Sequence, residues 1–224
     1  MSEQPNELVL ASTSPRRHDL VSGLGVGFRI VPPVASEDME PGEEPRALVE
    51  RLALAKARSV AASKPDGLVV GADSVVVQDG DVLGKPAHAA QAREMLGRLR
   101  GRRHEVVTGV TVVDPVDGRA QTASQVSGVT MRPYSDDEIE AYVASGEPMD
   151  KAAAYGVQDR VFHPASSVEG CYTNVMGLPL CLTVDLLRDA GYALDPARRV
   201  RVPEECDPCP LRDVIRPVGE GRSL

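Results

Sequence analysis

The sequence predicts an α/β fold, and three observations carry that prediction. Apolar runs of strand length alternate with amphipathic helical patterns through the first half of the chain. A valine-rich middle then turns back on itself at Asp-Gly signals, as strands of one sheet do. No segment repeats, so the pattern describes one body rather than an array.

The elements follow in order. In "LVLASTSPRRHDLV", Leu8, Val9 and Leu10 form a short buried strand. Ser14 reads as a helix N-cap and Pro15 as the first helical residue, because proline's fixed φ and missing N–H suit that position. Leu20, Val21 and Leu24 give this helix its apolar side. Its N-terminus carries unpaired N–H groups and partial positive charge, where acidic residues are the ordinary choice. Arg16 and Arg17 stand there instead, an arrangement that makes sense if an anion such as phosphate binds.

A second helix starts near Pro45 and ends before Lys64-Pro65. "GLVVGADSVVVQDGDVLGKP" is a strand, an Asp-Gly turn and a short return strand. "AAQAREMLGRLRG" is an amphipathic helix on Ala92, Met95, Leu96 and Leu99, with Gly101 beyond its end. "HEVVTGVTVVD" and "RAQTASQVSGVTMRPY" flank the turn "DPVDG" as a hairpin. Ser135 and Glu138 make a capping box for a helix ending at Gly146. A Gly- and polar-rich segment follows, then a final helix in "GLPLCLTVDLLRDAG" ending at Gly191. Periodicity is lost beyond Asp195, so the chain divides into a domain over 1–196 and a tail or loosely docked arm over 197–224.

With a formal net charge of −8, the chain does not suit coating nucleic acid or an anionic membrane. A phosphate site on it must be a local basic pocket, which fits a small ligand better than a polymer. No apolar stretch reaches transmembrane length, and "MSEQPNE" is too polar and acidic for a signal peptide. Together with only four cysteines, this points to a cytoplasmic protein with reduced thiols. Cys206 and Cys209 in "CDPC" are half a zinc or redox site and need two more ligands nearby, so incidental cysteines on a tail are the favoured reading.

Several residues resist a purely structural explanation. Asp73 interrupts "LVVGADSVVV", where a buried carboxylate is costly unless paired or metal-bound. Otherwise it caps the exposed carboxyl end of the strand, the place where ligands of α/β sheets gather. Lys56 shares a helical face with Val49, Leu52, Ala53 and Val60, either aimed at a site or snorkelling at the edge of the core. Lys85 in "LGKP" is in a strand-to-helix loop, where lysines are usually just solvated. In "SEDMEPGEEP" a solvated acidic loop accounts for most of the charge, but Glu37 with Asp73 would supply a metal-ligand pair beside a basic pocket. Gln158 offers a paired donor and acceptor able to read a base edge. The arginines of "GRLRGRRH" suit a helix C-terminus and are read as structural. The four histidines show no metal spacing and no nucleophile partner, which disfavours a covalent hydrolase.

Seven motifs, "LASTSPRRHDLV", "LALAKA", "GADSVV", "LGKP", "HEVVTGV", "YVASGEPMDKAAAYGVQ" and "NVMGLPL", occur in the order seen in the Maf nucleotide pyrophosphatases, and the resemblance covers residues 8–192. It implies an elongated mixed β-sheet with flanking helices around a central nucleotide cleft. It also implies metal-dependent hydrolysis of a nucleoside triphosphate to monophosphate and pyrophosphate by a homodimer, with Mg²⁺ or Mn²⁺. By motif, Asp73 matches the catalytic base, and Ser12, Arg17, Glu37, Lys56 and Lys85 match other active-site positions. Arg16, Ser74 and Gln158 match positions associated with base choice, and "SPRR" with that glutamine resembles the branch acting on dTTP and UTP. The alternatives are another base, such as that of 7-methylguanosine or inosine triphosphate, or a nucleotide-binding regulator of septum formation. Two departures stand out. Ser74 replaces a threonine, and Ala153 replaces a glycine, which sets it against a close backbone approach or a positive φ.

Overall fold

A computed structural model describes residues 7–195, 197–206 and 209 of the chain. Among these residues seven strands form one mixed sheet: β1 (Leu8–Ala11), β2 (Phe28–Ile30), β3 (Val69–Gln78), β4 (Asp81–Leu83), β5 (Arg103–Val113), β6 (Ala120–Met131) and β7 (Ala165–Glu169). The order across the sheet is β2-β1-β3-β5-β6-β7, with β4 beside β3. β1 runs parallel to both β2 and β3, and the remaining pairs are antiparallel.

One break in this sheet positions everything that follows. β5 covers one edge of β3 continuously, from Val69 to Val77. The opposite edge is shared by two strands: β1 pairs only as far as Gly71, and β4 begins at Val76. Ala72, Asp73, Ser74 and Val75 therefore have an open edge in mid-strand. Asp73 lies in that opening, not at a strand end as one sequence reading had it. Because side chains alternate across a strand, Asp73 points to one face and Ser74 to the other.

Among the described residues six α-helices flank the sheet: α1 (Pro15–Gly23), α2 (Pro45–Ala61), α3 (Ala89–Leu99), α4 (Asp136–Ala144), α5 (Tyr172–Met176) and α6 (Leu180–Asp189). α2 crosses the Asp73 face at very short range. A Cβ on Gly71 would stand 2.5 Å from Ala53 O, and one on Gly109 would stand 2.4 Å from Val49 O, so only glycine permits this approach. Leu48, Val49 and Leu52 then pack on Val75 and Val107. On the other face, α1 and α6 bury Leu8, Leu10, Val70 and Val112, while α3 and α4 bury Val76, Val106, Val129 and Met131. Met176 packs against both of these cores.

Local signals mostly explain the element ends. Pro15 and Pro45 open α1 and α2, and both bonds of the Ser135–Glu138 capping box are present. The clustered arginines are structural: Arg98 pairs with Asp81, Arg100 with Asp136, Arg102 with Asp79 and Arg103 with Glu169. Ala153 departs from expectation, because it adopts φ 53 although it is not glycine. It is fully buried, and its N–H donates to Gly84 O at 2.9 Å, contacts that hold it in a region costing about 1–2 kcal/mol for an L-residue.

The reading of 197–224 as a tail lies largely outside the described residues. Of the part that is described, Arg201 N–H donates to Gly23 O at 2.7 Å, which lays the segment against the end of α1.

Candidate active site

The β1–α1 loop, the open edge of β3 and the β4–α3 loop surround a cleft of about 590 Å³. That size suits a nucleotide-sized ligand. On the α2 face, Lys56 is only 7% exposed and reaches the opening because α2 lies so close to the sheet. Its Nζ stands 2.5 Å from Asp73 Oδ1 and 2.5 Å from Glu37 Oε1. A core-facing lysine is thus balanced by two carboxylates, Asp73 at 13% exposed and Glu37 at 61% exposed. The hydrogen bond from Lys56 holds the Glu37 carboxyl below the ordinary carboxylate range, aided by the charges of Lys85 and Arg17 and opposed by partial burial. The rest of the acidic loop is structural. Arg51 grips Glu43 at 2.6 Å and the Asp38 carbonyl at 2.9 Å, which ties the Glu37 segment to α2.

The other face carries the basic side. Ser14 makes no side-chain cap and α1 has no acidic residue in its first turn, so nothing there competes with an anion. Ser12 is buried, and its Oγ accepts from Ser14 N–H at 3.1 Å, which fixes the loop. Arg17 donates through Nε to Gly177 O at 2.7 Å and through Nη2 to Ser74 Oγ at 3.0 Å. Burial lowers the Arg17 pKa while Asp73 opposes the shift, and the guanidinium remains charged. Arg16 turns the opposite way and pairs with Asp150 at 2.9 Å. Lys151, buried beside it, pairs with Asp150 at 2.8 Å and with Glu147 at 3.0 Å. Burial raises Asp150, but hydrogen bonds from Lys151 and Arg16 outweigh it and leave the carboxyl below its ordinary value.

Lys85 is exposed on the cleft wall, and Gln158 lines the same cleft with its buried Oε1 lacking a hydrogen-bond partner. All nine site residues expected from the sequence therefore border one cleft: Ser12, Arg16, Arg17, Glu37, Lys56, Asp73, Ser74, Lys85 and Gln158.

The support beneath them was not read from the sequence. Ser74 Oγ meets Thr108 Oγ1 at 2.9 Å, and Thr108 Oγ1 donates to Asn174 O at 3.1 Å. Asn174, fully buried, donates to Val106 O at 3.0 Å and Ser127 Oγ at 2.9 Å. This chain of polar contacts clamps α5 to the sheet. Gly177 follows it at φ 115, a left-handed turn that aims its carbonyl at Arg17. The glycines in "VVGAD" and "VVTGV" were the available signal for the close passage of α2, since glycine inside a strand marks a near backbone.

A family model described as "Maf-like protein" matches residues 7–190. A dTTP/UTP pyrophosphatase of Symbiobacterium thermophilum is 47% identical over 84% of this chain and 96% of its own length. One from Moorella thermoacetica is 50% identical over 83% of this chain and 96% of its own. The solved structure of the Staphylococcus aureus Ham1 protein shows a partial likeness, with a TM-score of 0.41 and 14% identity over 57% of this chain and 72% of that one. With a family model spanning most of its length and close relatives matched nearly end to end, the chain belongs to the Maf family.

Proposed function

We propose that this protein hydrolyses dTTP and UTP to the monophosphate and pyrophosphate. The observation that carries the proposal is the open edge of β3, which puts an acidic pair with Lys56 on one face and Arg17 at a helix N-terminus on the other, bordering one cleft. The names of the relatives, dTTP/UTP pyrophosphatases, supply the reaction and the bases.

Charge arrangement gives each residue its part. The first-turn N–H groups of α1, with Arg17 and Lys85, bind the triphosphate and hold its α-phosphorus near Asp73, each charge-assisted contact worth about 1.5–3 kcal/mol. Asp73 accepts the proton of the attacking water, and Lys56 steadies that carboxylate through its ion pair. Bond cleavage places negative charge on the departing pyrophosphate, where the same cations stabilise it. Glu37 Oε1 and Asp73 Oδ1 both lie 2.5 Å from one ammonium, so the two carboxylates already converge on a single positive charge. That hard-oxygen pair fits Mg²⁺ or Mn²⁺, which Glu37 and Asp73 would hold. When bound, such an ion would neutralise charge on the triphosphate.

Gln158 supports the pyrimidine reading. It lines the cleft, and its amide, once turned toward the base, offers an acceptor for the ring N–H that uracil and thymine present and a donor for an adjacent carbonyl. The proposal includes a cytoplasmic homodimer, which light scattering on the purified chain checks for assembly. The function is tested by pyrophosphate release from a nucleotide panel with Mg²⁺ or Mn²⁺. Turnover of dTTP and UTP ahead of other triphosphates supports the reading, and preference for 7-methylguanosine triphosphate or failure to hydrolyse any triphosphate overturns it.

A further inference from the structure

Arg16 and Arg17 are neighbours in the first turn of α1, yet the fold sends them to different partners. Arg17 turns to Gly177 O and Ser74 Oγ. Arg16 crosses to the turn Glu147–Asp150, where its Nη1 donates to Asp150 Oδ2 at 2.9 Å and its Nη2 to Asp150 O at 3.3 Å. The second oxygen of that carboxylate, Oδ1, accepts from Lys151 Nζ at 2.8 Å. Lys151 is only 7% exposed at its side chain and also pairs with Glu147 Oε2 at 3.0 Å. One carboxylate thus stands between two cations on the wall of the cleft.

Stability does not account for this arrangement. The Arg16 and Asp150 side chains are 22% and 57% exposed, and exposed ion pairs add little to folding. What the pair fixes is where a charge stands. A Cβ on Gly156 would lie 3.0 Å from Lys151 Cε and 3.2 Å from Gln158 Nε2, so both side chains close on that glycine. Arg16 is therefore tied, through Asp150 and Lys151, to the corner of the cleft that holds Gln158. Asp150 and Glu147 balance Arg16 and Lys151 there, and a charge-balanced corner suits an uncharged base better than a phosphate.

Resting on the proposed hydrolysis of dTTP and UTP, we propose that Asp150 is a specificity-positioning residue that holds Arg16 at the base end of the cleft. A guanidinium has more N–H donors than the two used on Asp150, and the others can bond a pyrimidine carbonyl. Arginine never accepts, so the amino group of cytosine finds no partner where uracil and thymine present a carbonyl. Released from Asp150, Arg16 starts one residue from Arg17 and turns to the triphosphate, whose charge attracts it whatever the base. Asp150 sets selectivity by withholding one cation from contacts that every triphosphate shares.

Asp150→Asn is isosteric at a side chain 57% exposed, so it leaves the fold in place. Buried Lys151 takes the remaining amide oxygen, and the amide NH₂ then faces Arg16 and releases it. Binding of inorganic tripolyphosphate, which has no base, is measured by titration calorimetry in EDTA and needs no turnover. Asp150→Asn should bind it about tenfold tighter than wild type, the lower end for one added bond to a charged group. The Arg16→Ala/Asp150→Asn double variant should lose that gain, and Asp150→Glu, which keeps the carboxylate, should bind as wild type does. In pyrophosphate release, the ratio of kcat/KM for UTP to that for CTP should fall about tenfold in Asp150→Asn and recover in Asp150→Glu. A merely structural role would weaken tripolyphosphate binding or leave it unchanged, and either result overturns the proposal. A gain that persists without Arg16, or an unchanged UTP-to-CTP ratio in Asp150→Asn, overturns it as well. Wild type that hydrolyses neither nucleotide overturns the hydrolytic reading instead, and calorimetry still decides whether Asp150 restrains Arg16.

Discussion

Replacing Lys56 with methionine keeps most of the side chain's length and removes its charge. In the wild type, Nζ lies 2.5 Å from Asp73 Oδ1 and 2.5 Å from Glu37 Oε1. Glu37 is 61% exposed and can turn to water, so its share of the loss is small. Asp73, 13% exposed and held in mid-strand, cannot. Stranding that carboxylate costs about 3 kcal/mol, the lower end for a broken buried pair. For a chain of this size that lowers Tm by about 6–12 °C. Adding Asp73→Asn should restore most of the loss, because no buried charge is then left unpaired. The assay is thermal unfolding of wild type, both single variants and the double variant in EDTA at pH 7. The reasoning fails if Lys56→Met melts with the wild type, or if the double variant melts no higher than Lys56→Met. Acid titration adds a second readout. The lowered Glu37 pKa contributes stability present above the ordinary carboxylate range and lost as pH falls through the lowered value, and that limb should shrink in Lys56→Met.

Gly71→Ala puts a Cβ 2.5 Å from Ala53 O and 2.8 Å from Ala57 N, so α2 must move outward. Stability should fall by about 1–3 kcal/mol, and kcat/KM by more than about tenfold where the variant is still folded, because Lys56 rides on that helix. Equal kcat/KM in folded Gly71→Ala and wild type would contradict this. Burial lowers the His104 pKa to about 4, below its ordinary 6.5. The unfolded chain then binds the proton first, and stability should decline by about 3 kcal/mol as pH falls from 6.5 to 4. Urea unfolding across that range should show a flatter decline in His104→Gln. Gln158→Leu should lower kcat/KM for dTTP by about 10–100-fold, mainly through KM, since it removes a base contact and leaves the phosphate contacts in place.

Much of this architecture was legible because local and global signals agree. Pro15 and Pro45 mark real helix starts, the Ser135–Glu138 box is formed, and the hairpin of β5 and β6 spans the expected turn. The elements missed are short or carry little apolar pattern. β2 is three residues at a sheet edge, β7 is the mostly polar "ASSVE", and α5 is a five-residue helix hidden in the polar segment. At the site, residue chemistry together with the family resemblance supplied the nine positions but not their placement. That Asp73 sits in an unpaired mid-strand gap depends on where β1 stops and β4 begins, a register no local pattern encodes. Lys56 was ambiguous on its own helix and becomes intelligible only with its two carboxylates. Thr108 and Asn174 look like ordinary core polar residues until the fold links them to Ser74 and, through it, to Arg17.

The central claim is that the opening in β3 holds a working hydrolytic base among phosphate-binding cations. Its most direct test is pyrophosphate release from dTTP and UTP by wild type and Asp73→Asn side by side, with unfolding curves on both. The account predicts turnover by the wild type and loss of at least about a thousandfold in the folded variant, the combined scale of a general base and a lost charge. A folded Asp73→Asn enzyme with wild-type turnover would contradict it.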